Sequence, residues 1–338
     1  MKTRKLLYVG NALSASGKTL TTIETLSPLL EQEGYDVITT SQKPNKLLRL
    51  LDMIATFYKV RDTVDVVLID TYSTLNFWYA VIIGRLCSKS NLLYIPILHG
   101  GNLPERLENK PQICKALFGK AKINVAPSGY LYNAFAKAGF SNLIHIPNTI
   151  EISHYPYKVR TAFAPKLLWV RSFAKIYNPL MAIKVLEELL SYHPDAVLTM
   201  VGPDKDGSLE ECRAYALTRK LPVTFTGKLS KEQWIAESVH HDIFINTTNF
   251  DNMPLSVVEA MALGLLVVST SVGGMPYLIS DREDGYLSPP LDVKLFTEKV
   301  VNAITNTSDS IKITQKARDK AAAYDWESVK SKWHQVLS

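Results

Sequence analysis

The sequence predicts an α/β protein built from two doubly wound parallel sheets, one in each half of the chain. Short apolar runs alternate with longer segments in which apolar residues recur at helical spacing. Apolar strands that alternate with helices are typical of parallel sheets covered on both faces. The alternation breaks once, near the middle of the 338 residues, a length that suits two domains.

The first half contains six predicted strands separated by helical segments. The strands are 5–10, 36–41, 64–70, 91–98, 123–128 and 143–148. Two of the helical segments, 20–34 and 128–139, end on Gly34 and Gly139. Glycine is the preferred residue just past a helix end, so both positions mark helix termini.

The second half repeats the pattern after an irregular connection at 149–165. Its predicted strands are 166–170, 196–202, 223–227, 242–247 and 266–270. We therefore predict an N-terminal domain at 1–152 and a C-terminal domain at 153–324, with a final helix at 325–338 that packs back on the first domain. In such tandem sheets ligands bind at the carboxyl ends of the strands.

The formal net charge of +6 lies entirely in the first half. Residues 1–152 carry 17 Lys and Arg against 11 Asp and Glu, whereas 153–338 carry 21 of each. This excess indicates either a solvated basic face or an anionic partner, such as a phosphorylated acceptor or a membrane surface. Nucleic acid is not expected, because no dense basic run interleaved with aromatic residues occurs.

Cysteine usage and apolar run lengths indicate a cytoplasmic protein. The three cysteines lie far apart, without the spacing of a zinc site or a disulfide framework. No apolar run approaches the ~20 residues that span a bilayer. The apolar run at the start is too short for a signal peptide, so we interpret it as the first strand.

The most informative segment is 249–276, in which a polar loop follows a strand and leads into an apolar helix. Pro254 suits the first turn of this helix, and free N–H groups near Pro254, Leu255 and Ser256 would form a site for a diphosphate. Asp251 precedes the helix and Glu259 lies inside it. Each acid has a plain alternative role, Asp251 as a helix cap and Glu259 as a paired helix residue.

This segment resembles the signature of the family-4 retaining glycosyltransferases. Their common form is a Glu, seven residues, a second Glu, then Ala-Met-Ala and a Gly. Here Asp251 is followed by seven residues, Glu259 and the run AMALG (260–264). The glycine turn in LVVSTSVGGMP (266–276) and the segment DREDGYLSPPLD (281–292) extend the resemblance. It implies the GT-B fold, in which two Rossmann-like domains face a cleft.

The resemblance also implies roles for residues of the second half. Glu259 would hold the ribose hydroxyls of a nucleotide and Asp251 would contact the transferred sugar. Arg171 would neutralise the donor diphosphate. The Lys expected six residues later is Tyr177 here, and the neighbouring Lys175 is a candidate substitute. The turn Gly227–Lys228 would lie against the base.

In the first half, the resemblance implies a sugar or acceptor contact for His99. His99 follows a strand and precedes a glycine pair, and Gly100 would permit close approach of a ligand. The loop after the first strand, with Ser16, Gly17 and Lys18, would face the same site. Gly17 would admit the sugar or acceptor and Lys18 would add positive charge.

These residues together predict transfer of a hexose-type sugar from a UDP-, GDP- or ADP-sugar, without cofactor or metal, to a glycan or lipid-linked hydroxyl acceptor. Two alternatives remain at this stage. The segment 12–19 nearly fits a phosphate loop, with Asp70 as a magnesium-binding acid, which would indicate an NTPase. A non-catalytic binder of sugar nucleotides is the other.

A basic, amphipathic segment at 41–62 leaves a membrane contact open. Its apolar residues recur at helical spacing and its ends are basic. We expect either an ordinary helix packed on the sheet or weak peripheral contact of its basic rim with an anionic membrane. The apolar residues are Leu47, Leu50, Leu51, Ile54 and Phe57, and the basic ones are Lys43, Lys46, Arg49, Lys59 and Arg61.

Overall fold

The computed structural model describes residues 4–14 and 21–338, which form two compact units. The first unit is drawn from Met1–Asn148 and Lys330–Ser338, and the second is Thr149–Val329. Each unit contains one six-stranded sheet in which every pairing is parallel. This is the predicted doubly wound α/β architecture.

The sheet of the first unit has the strand order β2-β1-β3-β4-β5-β6. All six predicted strands are present, and they are β1 Lys5–Val9, β2 Asp36–Thr40, β3 Val66–Thr71, β4 Leu93–Leu98, β5 Asn124–Ala126 and β6 Leu143–His145. The central strand β3 is buried along its whole length. Because every strand is parallel, all six carboxyl ends meet at one edge of this sheet.

Helices connect these strands. They are α1 Thr22–Gln32, α2 Lys46–Val60, α3 Phe77–Lys89, α4 Leu103–Asn109, α5 Pro111–Phe118 and α6 Gly129–Lys137. Gly34 and Gly139 follow α1 and α6 with φ of +89° each, which confirms them as helix-end glycines.

Helix α2 differs from the prediction in its rotation. Phe57 is buried as expected, but Leu47 and Leu51 are 65% and 54% exposed. Arg49, predicted on a basic rim, is buried and donates to Asn11 Oδ1 and to two backbone carbonyls, at 2.8–3.0 Å. The buried guanidinium fixes which side of α2 faces inward, and the prediction was wrong for these three residues.

The second sheet has the order β12-β11-β10-β7-β8-β9. Its strands are β7 Lys166–Val170, β8 Val197–Val201, β9 Val223–Gly227, β10 Ile243–Asn246, β11 Leu266–Thr270 and β12 Tyr286–Ser288. Strand β12 was not predicted, because three residues ahead of two prolines carry too short a pattern to distinguish from a loop.

The remaining helices follow the strands of the second unit. They are α7 Pro179–Leu189, α8 Ser208–Thr218, α9 Lys231–Ser238, α10 Leu255–Ala262, α11 Met275–Leu278, α12 Val293–Thr305, α13 Thr307–Ala322 and α14 Trp326–Leu337. The last residues of α14 belong to the first unit, where Lys330 and His334 each lie 3.1 Å from Glu33. Within the described ranges, none of the helices has the length and apolar character needed to cross a bilayer.

A buried arginine ties the entry segment of the second unit to its sheet. Arg160 Nε donates to Asp242 Oδ1 at 3.0 Å, and its terminal nitrogens donate to the carbonyls of Gly264 and His241 at 2.6 and 2.7 Å. Its side chain is only 2% exposed. Burial alone would disfavour the charge, so these bonds are what make the position tenable.

We expect Arg160→Met to lower the free energy of unfolding of the second unit by about 3–5 kcal/mol, because it removes the buried donor to Asp242 Oδ1 and to the carbonyls of Gly264 and His241. Arg213→Met is the matched control, since Arg213 is half-exposed and pairs with Glu210 one helical turn away. That control should cost below ~0.5 kcal/mol. Urea unfolding measures both, and equal losses would contradict the assigned role of Arg160.

Candidate functional site

The carboxyl edge of the second sheet is assembled around Arg171, the first residue after β7. Arg171 N donates to Val201 O at 3.0 Å, and Gly202 N donates to Gly227 O at 2.8 Å. Gly202 has a φ of +151°, and a Cβ there would lie 1.7 Å from Arg171 O. Glycine at 202 is therefore what lets the ends of β8 and β9 close against Arg171.

A glycine turn supports the loop that carries Asp251. The turn follows β11, and Gly274 N donates to Asp251 O at 2.8 Å. A Cβ on Gly273 would lie 2.2 Å from Asp251 O, and one on Gly274 would lie 1.6 Å from Asn252 O. Two adjacent residues without side chains thus allow the 251–252 backbone to pack directly on the turn.

Arg171 and Asp251 form an ion pair at this edge. Arg171 Nη2 contacts Asp251 Oδ2, and the side chains are 18% and 14% exposed. The ring of Tyr177 lies under the guanidinium, 4.5 Å from its central carbon. Burial lowers the pKa of Arg171, while Tyr177 and the charge of Glu259 oppose that shift. Arg171 Nε is buried with no hydrogen-bond partner among the described groups.

Glu259, inside α10, is the second acid of the cluster. It is 4% exposed, and its Oε1 accepts a hydrogen bond from Tyr155 OH at 2.9 Å and contacts Lys231 Nζ. Burial and the neighbouring Glu259 charge raise the pKa of Tyr155 well above its usual range. Tyr155 therefore stays a hydrogen-bond donor to Glu259.

The start of α10 adds unsatisfied polar groups beside these charges. Pro254 caps the helix, and the first N–H groups after it have no carbonyl one turn earlier to bond. Ser256 Oγ is buried without a partner in the part of the chain that the structure describes. We define the donor cluster as Arg171, Lys231, Asp251, Ser256 and Glu259.

Lys231 was missed at the sequence level, and Lys175 was considered instead. Lys175 is exposed, and its backbone N–H donates to Asp206 at 2.9 Å. Lys231 is the first residue of α9, shortly after the Gly227–Lys228 turn. The sequence did contain one signal for Lys231, which is its position in the first turn of a helix. The helix dipole disfavours a positive charge there, so a lysine at that position indicates a specific partner.

The first unit has a separate cluster at the carboxyl edge of its sheet. His99 Nε2 lies 2.7 Å from Asp70 Oδ1, and Tyr8 OH donates to the same oxygen at 2.9 Å. Tyr72 packs on the His99 ring with centroids 5.3 Å apart. Asp70 Oδ2 is buried without a described partner. Asp70, considered above as a magnesium-binding acid, is thus engaged with His99 and Tyr8.

The residues expected around His99 have different outcomes. Gly100 packs against Ser73, since a Cβ at Gly100 would lie 2.2 Å from Ser73 N. A glycine is therefore required at position 100 by the packing against Ser73, whether or not a ligand binds nearby. Ser16, Gly17 and Lys18 lie outside the described residues. Among residues 4–14 and 21–338, no group of three or more His, Cys, Asp or Glu side chains is placed to hold a metal ion.

A known family model matches the segment that holds all five residues of the donor cluster. Residues 164–306 match the model of the family Glycosyl transferases group 1. The match covers less than half of the chain. The matched segment, which we call the group 1 segment, contains Arg171, Lys231, Asp251, Ser256 and Glu259, whereas Tyr155 lies just before it.

Curated relatives of this group 1 segment share low identity and are longer than the chain. Sulfoquinovosyl transferase SQD2 of Arabidopsis thaliana is 27% identical over 154 residues, which cover 45% of this chain and 29% of the relative. Glycogen synthase of Mycobacterium tuberculosis is 23% identical over 203 residues, 59% and 49% of the two chains. The chain thus spans less than half of either relative.

Solved structures match along nearly the whole chain and show the GT-B fold. The Anabaena protein Alr3699/HepE in complex with UDP and glucose has a TM-score of 0.78 at 18% identity, covering 99% of both chains. Sucrose-phosphate synthase from Thermosynechococcus elongatus has a TM-score of 0.80 at 16% identity, covering 98% of both.

We expect Gly273→Ala to destabilise the second unit more than Gly207→Ala. Both glycines have positive φ, so alanine costs about 1 kcal/mol at each. Only Gly273 has a neighbour in the way, Asp251 O, and displacing it should cost a further ~1–3 kcal/mol. Chemical unfolding of the two variants checks this, and indistinguishable losses would mean that the turn does not hold the Asp251 loop.

Proposed function

We propose that the protein is a glycosyltransferase that moves a hexose-type sugar from a nucleoside-diphosphate sugar to a hydroxyl acceptor, with retention of configuration. The acceptor is a glycan or a lipid-linked saccharide. The proposal depends on one observation above all. Two cations and two carboxylates are interleaved beside the start of α10, inside the group 1 segment.

The interleaved charges suit a ligand that combines a diphosphate with hydroxyl groups. In the free protein each cation is neutralised by an acid, Arg171 by Asp251 and Lys231 by Glu259. A diphosphate offers both cations a stronger partner. Its binding would release the two carboxylates to accept hydrogen bonds from hydroxyls, Glu259 from the ribose and Asp251 from the transferred sugar.

The same cations would assist bond cleavage. Negative charge grows on the diphosphate as the glycosidic bond breaks, and fixed positive groups stabilise that charge most in the transition state. Arg171 is held by Tyr177 and lies at a buried edge, where such charges act strongly. We therefore propose that Arg171 and Lys231, together with the start of α10, take the place that a metal ion fills in other transferases.

His99 would act on the acceptor or the sugar. Its Nε2 is committed to Asp70, so the other ring nitrogen is the one available to a hydroxyl. Asp70 fixes the ring through this bond, and Tyr8 fixes Asp70 in turn. We assign His99 a contact role and Asp70 a positioning role.

The named neighbours guide the choice of donor. Structures of the Anabaena protein contain UDP with glucose, UDP alone or UDP-glucose. The curated relatives include an amylovoran biosynthesis glycosyltransferase of Erwinia amylovora. These names favour UDP-sugars as the first donors to test and a glycan as the acceptor.

A donor screen followed by turnover tests the function. A bound UDP-, GDP- or ADP-sugar should raise the melting temperature, and the nucleoside diphosphate should be released only when an acceptor is supplied. Turnover should persist with EDTA, and the product anomer read by NMR should match the donor. Magnesium-dependent hydrolysis of ATP or GTP that requires Lys18 would instead establish the NTPase alternative. Donor binding without turnover on any acceptor would favour the non-catalytic binder.

We expect Lys231→Met to weaken binding of the donor identified in that screen by about 1–3 kcal/mol, because a charge-assisted contact to the diphosphate is lost. Lys175→Met is the matched control, with the same substitution on an exposed lysine. It should leave donor affinity within ~0.5 kcal/mol of the wild type. Titration calorimetry with both variants decides between the two lysines, and a larger loss in Lys175→Met would return the role to Lys175.

A further inference from the structure

Helix α2 carries an apolar surface that the first unit does not bury. Its core-facing side contains Met53, Phe57 and Val60, which are at most 8% exposed. On its other side Leu47, Leu48 and Leu51 are 65%, 56% and 54% exposed. These three leucines lie within the first two turns of the helix, so they form one patch.

The start of α3 extends this patch. Tyr79 OH donates to Lys46 O at 2.9 Å, which holds the beginning of α3 against the beginning of α2. Next to this contact Leu75 is 66% exposed and Trp78 is 39% exposed. We define the leucine–tryptophan surface as Leu47, Leu48, Leu51, Leu75 and Trp78. Five large apolar side chains exposed on two adjoining segments mark an interaction surface rather than scattered exposure.

The charged residues in the two segments that carry this surface, 41–51 and 71–79, are all basic. Lys43 and Lys46 are exposed, residues 41–51 contain no acid, and residues 71–79 contain no charged side chain. The nearest acid along α2, Asp52, accepts a hydrogen bond from Thr40 Oγ1 at 3.2 Å. Among the described residues, no carboxylate forms an ion pair with Lys43 or Lys46.

We propose that the leucine–tryptophan surface docks on an anionic lipid bilayer. Leucine side chains enter the headgroup–acyl boundary, tryptophan prefers the membrane interface, and flanking lysines attract anionic headgroups. A surface for a second copy of the chain would not need this cationic border, because the same lysines would face one another across a twofold axis. Charge complementarity therefore selects the bilayer.

The leucine–tryptophan surface lies near the edge of the first sheet that carries His99 and Asp70. Helices α2 and α3 both begin just after strands of the first sheet end, at the edge that carries His99 and Asp70. Docking through their first turns would hold that edge close to the lipid headgroups. This step rests on the proposed function, since it brings a lipid-linked acceptor to His99. The docking itself does not depend on that function.

Vesicle binding tests the docking directly and without turnover. We expect the full chain to sediment with vesicles of phosphatidylcholine containing about 30 mol% phosphatidylglycerol, and not with phosphatidylcholine alone, because the lysines need anionic headgroups. Binding should fall as salt is raised from 50 mM to about 500 mM. Absence of the protein from the pellet with anionic vesicles at low salt would overturn the proposal.

Paired variants separate the apolar from the cationic contribution. Leu47→Ser with Leu51→Ser should weaken vesicle binding about tenfold, while Leu217→Ser, on a leucine that is 81% exposed in the second unit, should not change it. The double variant Lys43→Glu with Lys46→Glu should also weaken vesicle binding about tenfold. Its charge-matched control, Lys294→Glu with Lys316→Glu in the second unit, should leave binding unchanged. Equal effects in variant and control would indicate unspecific adsorption and overturn the assignment to this surface.

Trp78 supplies a site-specific probe. The chain has five tryptophans, and the other four are at most 5% exposed. Brominated lipid should therefore quench Trp78 alone, and the quenching should vanish in Trp78→Phe. Unchanged quenching in Trp78→Phe would place the lipid elsewhere. If light scattering shows a dimer that the leucine variants dissociate, and Trp78 is not quenched, the surface belongs to a second copy of the chain.

Discussion

The ion pair between Arg171 and Asp251 is the interaction on which the arrangement at the carboxyl edge of the second sheet depends. It joins the end of β7 to the loop before α10, two segments 80 residues apart in the chain. Both ends are braced by glycines, with Gly202 against Arg171 O and Gly273 against Asp251 O. A buried charge pair is tolerated when its geometry is fixed, and here the backbone fixes it. The ring of Tyr177 packs against the guanidinium of Arg171.

Charge compensation explains why this edge is stable without a ligand and still suited to one. Glu259 is almost fully buried, so it needs partners, and Tyr155 and Lys231 supply them. Lys231 remains 43% exposed, which leaves it accessible to a second anion. Both acids are thus neutralised inside the unit. The proposed donor would exchange these pairs, because its diphosphate would take the place of the carboxylates and its hydroxyls would take the place of the cations.

The sequence was sufficient to predict the fold and to place Arg171, Asp251 and Glu259 near one edge of the second sheet, because the signals for both are local. The strands have continuous apolar patterns, and Arg171, Asp251 and Glu259 each lie next to a strand end or inside a helix that the pattern defines. A parallel sheet then brings such positions to one edge. Lys231 was missed because its relevance depends on the fold of α9 toward Glu259, which no spacing in the sequence expresses. Asp70 was placed on the correct strand, but its contact with His99 depends on the pairing of β3 with β4.

The rotation of α2 shows where pattern analysis reaches its limit. Its apolar residues exceed what one face can bury, so periodicity could not say which of them face the core. A single polar residue decides it, because Arg49 bonds Asn11 and the 43–44 backbone and must lie inward. Leu47, Leu48 and Leu51 are then left outside.

The same rotation gives an interpretation of the excess positive charge in the first half. In the second half cations and acids are equal in number, and those of the donor cluster neutralise each other. Lys43 and Lys46 instead border an exposed apolar surface, and no carboxylate of residues 4–14 or 21–338 forms an ion pair with them. Water can hydrate these lysines, but it does not bury the exposed leucines beside them. The proposed anionic bilayer would attract the lysines and cover the leucines at once.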